Sequence, residues 1–404
     1  MIEVQNEPSS NVLLTPHNKA SALGIYVSIA SPTHSDIAII NRFSLQCYAR
    51  KLLPSFSIRK CHKWIIPKIR NMDGDMVQNR CEVDVWINTQ SGKAFYGNLE
   101  TCKSIWVCPV CASKISERRR IELTEGLTTS RDAGHHHLLA SYTVSHHLGD
   151  TLEYVASGMN DAFRRLKSGK SWQLFKQRHG WIGDIKSTEM TYGANGWHFH
   201  FHQLIILDHK PTSQELWKFK NELKTRWQSA LNQRQFYASW SHGLDIRETD
   251  DCIVDYVQKV GNWTVEHELT KQSVKTGKTK GRTPVQILID YAEDGLISDA
   301  DLFREYALLT YRKNQLQWSK GLRNQLDLGE EKSDDDLMDE KEEPAILLAN
   351  LSSEDWDMLG ELQLVGHALL LARTAYSEEN LSIWTKGIDD IRTKYQRASN
   401  PQQD

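Results

Sequence analysis

Three histidines alternate with aromatic residues in Gly196-Trp197-His198-Phe199-His200-Phe201-His202, and Gln203-Leu204-Ile205-Ile206-Leu207 follows as an apolar run. Period-two alternation marks a β-strand with two different faces. His198, His200 and His202 share one face; Phe199 and Phe201 pack the other. Aligned imidazoles are costly to bury without partners, and a metal ion is the commonest physical reason to align them.

The strand needs a neighbour to complete such a site. Ile185 to Tyr192 reads as a second strand, and Gly193-Ala194-Asn195-Gly196 as the turn of a β-hairpin. Folding the segment about Ala194 and Asn195 puts Glu189 opposite His200. Imidazoles beside one carboxylate, with open positions left over, suit Mg²⁺, Mn²⁺ or Zn²⁺.

Cysteines supply a second candidate centre. In Cys108-Pro109-Val110-Cys111 the backbone can turn so that two thiolates grip one ion. Cys102 and Cys81 are the expected third and fourth ligands of a tetrahedral structural zinc. The alternation of Val83, Val85 and Ile87 predicts a hairpin that carries Cys81 back to the knuckle. Cys61 and His62 are rival fourth ligands.

A third element is the helix expected over Asp251 to Val260. Ile253, Val257 and Val260 make one stripe; Tyr256 and Lys259 share a neighbouring face. A tyrosine becomes a nucleophile toward phosphate when a metal polarises the phosphodiester, and a nearby lysine can lower the phenol pKa or hold phosphate.

The elements that position these groups follow helical and strand periodicities in turn. A helix opens near Lys114 and runs to about Arg131, a strand covers His137 to Ser145, and His146 and His147 close it at the surface. Helices follow over about Thr151 to Leu166 and from the capping box Thr212-Ser213-Gln214-Glu215 to Asn232, then a short strand near Leu244. Thr283-Pro284 opens another helix, and one more runs from Asp299 to Tyr311. The order of strand, helix, hairpin, helix and strand predicts an α+β fold, with a central antiparallel sheet flanked by helices in the split β-α-β manner. A zinc knuckle precedes it and a mainly helical C-terminal region follows.

The chain has 404 residues and a net charge of −3. Residues 327–343 carry ten acids against two lysines, a net −8, so the remainder carries +5. The acidic run reads as a solvated linker that masks a mildly basic body. Arg118 and Arg119 beside the knuckle are expected at DNA phosphates, as are Arg164 and Arg165 at the end of a helix. Lys275, Lys278, Lys280 and Arg282 belong to a basic loop that would close on DNA. No apolar run approaches a membrane span, and a cytoplasmic location with no membrane partner is expected.

The expected organisation is a partly disordered lead-in over 1–75, a zinc-binding subdomain over 76–135 and an α+β domain with helical extension over 136–326. An acidic linker over 327–343 and a small helical module over 344–404 complete it.

The combination of Cys102 with the knuckle, Glu189, the histidine strand and Tyr256-Val257-Gln258-Lys259 resembles the HUH endonucleases, and more closely the plasmid rolling-circle replication initiators. Gln317-Trp318-Ser319-Lys320-Gly321-Leu322 is similar as well. The resemblance covers roughly Cys81 to Leu328. It implies a site-specific nickase and ligase acting on single-stranded or hairpin DNA at an origin, with host helicase and replication machinery as further partners. Tyr256 would form a 5′-phosphotyrosyl link and Lys259 would position the phosphate. Glu189, His200 and His202 would hold Mg²⁺ or Mn²⁺, with His198 as an outer or alternative ligand. Some members carry a second tyrosine where this chain has Val260, or a glutamate where it has Cys252; Asp251, Asp255 or Glu248 would then activate water at termination. A single-tyrosine transposase of the same superfamily and a zinc-stabilised, non-catalytic DNA-binding regulator are the alternative readings.

Overall fold

The computed structural model describes residues 33–70, 76–78, 81–248, 281–341 and 344–399. Its centre is a five-stranded antiparallel sheet in the order β8-β5-β7-β6-β9. These strands are β5 (His136–Tyr142), β6 (Trp181–Gly193), β7 (Gly196–Leu207), β8 (Leu244–Arg247) and β9 (Leu316–Trp318). The long β6–β7 hairpin turns at Ala194 and Asn195, with Gly193 paired to Gly196. Gly196 adopts φ +86, a left-handed conformation that glycine enters without steric cost.

Both faces of the sheet are covered. Phe199, Phe201, Ile205 and Leu207 pack into the largest core with α3 (Leu152–Leu166) and α5 (Ser213–Asn232). Phe201 is fully buried, as are Val155 and Met159 of α3 and Leu223 and Trp227 of α5. Each such side chain contributes about 1.5–3 kcal/mol by leaving water. Between these helices in the chain lies α4 (Gly169–Arg178), whose Trp172 stacks on Phe175. On the opposite face, Leu123 and Leu127 of α2 (Pro109–Asp132) pack on Leu139, Leu204 and Ile206.

Helix α2 begins earlier than periodicity implies. Pro109 fills its first turn, where a missing N–H costs nothing, and Cys108 is the N-cap, its Sγ accepting from the Cys111 N–H. The knuckle is thus the N-terminus of the helix that braces the sheet. Further on, α6 (Pro284–Asp294) is capped by Thr283 and closed by left-handed Gly295. Next, α7 (Ile297–Thr310) carries Glu305, which accepts from Trp197 Nε1 at 2.7 Å and from the Leu152 N–H at 2.7 Å. One carboxylate therefore ties the hairpin to α3.

Three differences from the expected organisation stand out. Residues 33–52 are not an irregular lead-in. Thr33 and Asp36 form a capping box for α1 (His34–Leu52), whose Leu45 and Ala49 are fully buried. A short ribbon of β1 (Lys68–Arg70) and β2 (Met76–Gln78) follows.

The acidic run is not a free linker either. Beyond the short α8 (Leu322–Gln325), it folds into α9 (Asp334–Asp339), which packs along α2. Asp334 pairs with Arg119, Asp339 with Lys103 and Glu340 with Arg118.

Finally, residues 344–399 do not stand apart. β10 (Ala345–Leu351) pairs with β3 (Val83–Asn88), which pairs with β4 (Ala94–Gly97). Val83, Val85 and Ile87 then bury against α10 (Ser353–Glu361), α11 (Val365–Ser377) and α12 (Leu381–Ser399). The 83–97 hairpin is present as the sequence implies, but it serves a core shared with the C-terminal segment and does not deliver Cys81 to the knuckle.

Candidate functional site

In the β6–β7 register Glu189 lies opposite His200, Ser187 opposite His202 and Thr191 opposite His198. The Nε2 atoms of His200 and His202 converge on Glu189 Oε2, at 3.0 and 2.8 Å. Ser141 sits opposite His202 on β5, and its hydroxyl meets His202 Nδ1 at 2.9 Å. That contact turns Nε2 toward the carboxylate, the outer-shell arrangement that fixes imidazole ligands in metal sites. Burial pushes the Glu189 carboxyl up, but hydrogen bonds and charge from His200 and His202 outweigh it, and the group stays well below the ordinary carboxylate range. The carboxylate is therefore ionised at neutral pH.

His198 stands one pair further along, its ring 4.9 Å from that of His200 and 5.0 Å from that of His146. Burial, followed by the neighbouring histidines, lowers its pKa to about 4, so it is neutral at pH 7. It is not within the close group formed by Glu189, His200 and His202, whose ligand atoms lie within 4.8 Å of one another. Two imidazoles and a carboxylate on one rigid hairpin, with open positions, fit a divalent ion. The donor set itself carries the fit: the Nε2 atoms of His200 and His202 and one oxygen of the ionised Glu189 lie within 4.8 Å of one another.

The cysteine cluster is real in geometry but differs in one member. Cys61, Cys102, Cys108 and Cys111 come together. Cys81 is exposed and stays outside the group. Sulfur separations are 3.7 Å for Cys61–Cys108, 3.5 Å for Cys61–Cys111 and 3.7 Å for Cys102–Cys111. A tetrahedron with Zn–S bonds of about 2.3 Å has edges of about 3.8 Å, so the spacing suits four thiolates around zinc. Gln46 of α1 donates to Cys108 Sγ at 3.1 Å and to Cys61 Sγ at 3.3 Å. Burial opposes a thiolate at Cys108, yet contacts with Cys102, Cys111 and Cys61 and the Cys111 N–H bring its pKa well below the usual thiol value. The helix N-terminus favours the same charge. A cavity of about 60 Å³ is lined by Ile105, Val107 and Cys108 and also by Glu189 and Met190. One residue of each candidate centre thus borders the same cavity.

Other expected residues fall differently. Tyr256, Lys259, Lys275, Lys278 and Lys280 lie outside the described residues, as do Cys252, Asp251 and Asp255. Arg282 returns the chain to the hairpin, exchanging backbone hydrogen bonds with Tyr192 at 2.7 and 2.8 Å. Its guanidinium binds Asp290 and Asp299. Arg119 is 7% exposed and held by Glu122, Asp334 and the Lys332 carbonyl. Arg118 pairs with Glu340, Arg164 with Asp161, and Arg165 bonds Gln233. Glu248 binds His136 at 3.1 Å, where β5 meets Leu207, seven residues along β7 from His200. The sequence offered a signal for Cys61, a cysteine beside a histidine, but none for Gln46 or Ser141, whose roles depend on register and packing.

With this geometry in hand, relatives can be compared. A model of the Rep_1 replication protein family matches residues 94–357, more than half the chain. The chain belongs to this replication protein family. The match spans the knuckle, the sheet, the hairpin and the acidic strap. Among curated proteins, a "Protein rep" from Streptomyces lividans is 24% identical over 61% of this chain and 68% of its own length. A "Neomycin resistance protein" from Streptomyces cyanogenus is 27% identical over 32% of this chain and 36% of its own length. No solved structure matches the chain.

Proposed function

We propose that this replication protein is a plasmid rolling-circle initiator of HUH type, which nicks and rejoins one DNA strand at an origin. The observation that carries the reading is the convergence of His200 and His202 on the ionised Glu189 of one hairpin, in a member of a replication protein family. A bound Mg²⁺ or Mn²⁺ would supply Lewis-acid polarisation of the scissile phosphate.

The chain's own groups do the rest. Glu189, His200 and His202 would hold the ion, and Ser141 orients His202 through its contact with Nδ1. Neutral His198 adds no repulsive charge beside them. Tyr256 Oη forms a bond to phosphorus as the bond to the 3′ oxygen breaks; the phenol proton leaves and a free 3′-OH results. A 5′-phosphotyrosyl link remains, and attack by a 3′-OH reverses the step in rejoining. Lys259 steadies the phosphate. The Cys61, Cys102, Cys108 and Cys111 group would hold structural Zn²⁺ and so fix the start of α2 beside the cavity that Glu189 also lines.

The test is incubation with supercoiled plasmid carrying the cognate origin and Mn²⁺. Wild-type protein should yield open circles and a covalent protein–DNA species on denaturing gels. Tyr256→Phe should yield neither. An adduct formed equally by Tyr256→Phe, or a wild type that never forms one, ends the nickase reading.

A further inference from the structure

Lys186 lies on the other side of the sheet from the candidate catalytic ion. Along β6, Lys186, Thr188 and Met190 alternate with Ser187 and Glu189, so the two sets face opposite ways. Lys186 is 8% exposed. Its Nζ sits 4.2 Å from the Phe201 ring centroid and 5.1 Å from that of Phe163, and it has no hydrogen-bond or ion-pair partner among the described residues. Asp184, two residues away on the same strand, is spent on Lys167, at 2.8 Å through both oxygens. Burial, then repulsion from Lys167, brings the Lys186 pKa down to about 8 despite Asp184. A buried cation without an anion is a cost to folding, and such costs concentrate where a ligand completes the pairing.

Lys186 lines a cavity of about 300 Å³ between α3, β6 and the turn after α7. Arg312 and Lys313 add positive charge from that turn. Asn160 and Gln317 offer amides, and Trp106 and Phe199 offer aromatic walls. Among the described residues, no carboxylate lines it. The volume is at the lower bound of small-ligand sites and far exceeds a lone oxyanion. Cations for a phosphate, aromatic surface for a base and amides for its edge make one consistent chemistry.

We propose that this cavity binds a single nucleotide, with its phosphate paired to Lys186 and its base against Trp106 and Phe199. The nucleotide is either free or part of a DNA strand passing behind the sheet. The site is additional to the nickase centre, and its test omits both Tyr256 chemistry and added divalent ion, so the two readings fail separately.

Isothermal titration of the zinc-loaded full chain with dAMP, dCMP, dGMP and dTMP in turn, and with a single strand of about 12 nucleotides bearing no terminal phosphate, tests it. Wild type should bind at least one probe, and Lys186→Met should weaken that binding by at least about tenfold. Its thermal midpoint should hold or rise, because an unpaired charge has left the core. Weakening of the monophosphate alone identifies a free nucleotide; weakening of the strand identifies DNA. If Lys186→Met does not fold, Asn160→Ala and Arg312→Ala at the exposed rim carry the same comparison. Binding of every probe unchanged in the variants, or no binding by wild type, overturns the proposal.

Discussion

Replacing Cys61 with serine should strip the knuckle of its metal, whereas replacing Cys81 should not. Cys61 is fully buried, and its sulfur lies 3.7 and 3.5 Å from those of Cys108 and Cys111. Structural zinc sites carry about 10–16 kcal/mol of apparent binding energy, so loss of one of four thiolates costs on the order of 3–4 kcal/mol. In a large domain each kcal/mol moves the midpoint by about 2–4 °C, giving a fall of roughly 6–16 °C. Cys81 is exposed and lies outside the four-cysteine group, so Cys81→Ser should change stability by less than about 0.5 kcal/mol. The assay is zinc content after mild chelation, read with a thermal melt. Wild type and Cys81→Ser should retain near one equivalent; Cys61→Ser should retain little and melt early. Zinc loss in Cys81→Ser with retention in Cys61→Ser would refute the geometric assignment.

Other outcomes follow from the same contacts. Ser141→Ala removes the hydrogen bond that orients His202 and should weaken Mn²⁺ affinity by about 10–100-fold, with fold and zinc content intact. His137 and His367 are both brought to about pKa 4 by burial, so the unfolded chain binds more protons below pH 6.5. Their stability contribution is intact above pH 6.5 and falls as pH drops toward 4, by roughly 3 kcal/mol per group; urea midpoints should show this, and His367→Leu should remove its share. Neutralising the strap with Asp339→Asn and Glu340→Gln releases Lys103 and Arg118. If both reach phosphates, log affinity for single-stranded DNA against log salt should steepen by about 1.4. An unchanged slope would show that these cations stay off the DNA.

Much of the sheet was legible because its signals are local. Period-two alternation located the hairpin, and the turn-forming Ala194–Asn195 pair set a register that places Glu189 opposite His200. Thr212 and Glu215 announced α5 through a capping box that is present. What stayed hidden depends on distance along the chain. Cys61 and Cys108 are 47 residues apart, and spacing alone could not rank Cys61 above Cys81. The acids of α9 and the following Glu340 look solvated in sequence because their partners, Lys103, Arg118 and Arg119, are more than 200 residues away. Helix α1 was missed because its inward face includes buried Asn41 and Gln46, which blur the apolar stripe.

The strand β10 has a consequence in time. Asn350 bonds to Asp84, and 266 residues separate them. At about 5–20 residues per second, a ribosome needs roughly 13–50 s to make that stretch. Until then the β3 edge that β10 will occupy is open, and Val83, Val85 and Ile87 lack the helices that bury them. A nascent chain must keep that edge from pairing wrongly while the central sheet is already assembling. A chain cut short before Leu351 keeps the edge open for good. The core under the 83–97 hairpin therefore closes only when a segment made much later in synthesis joins it.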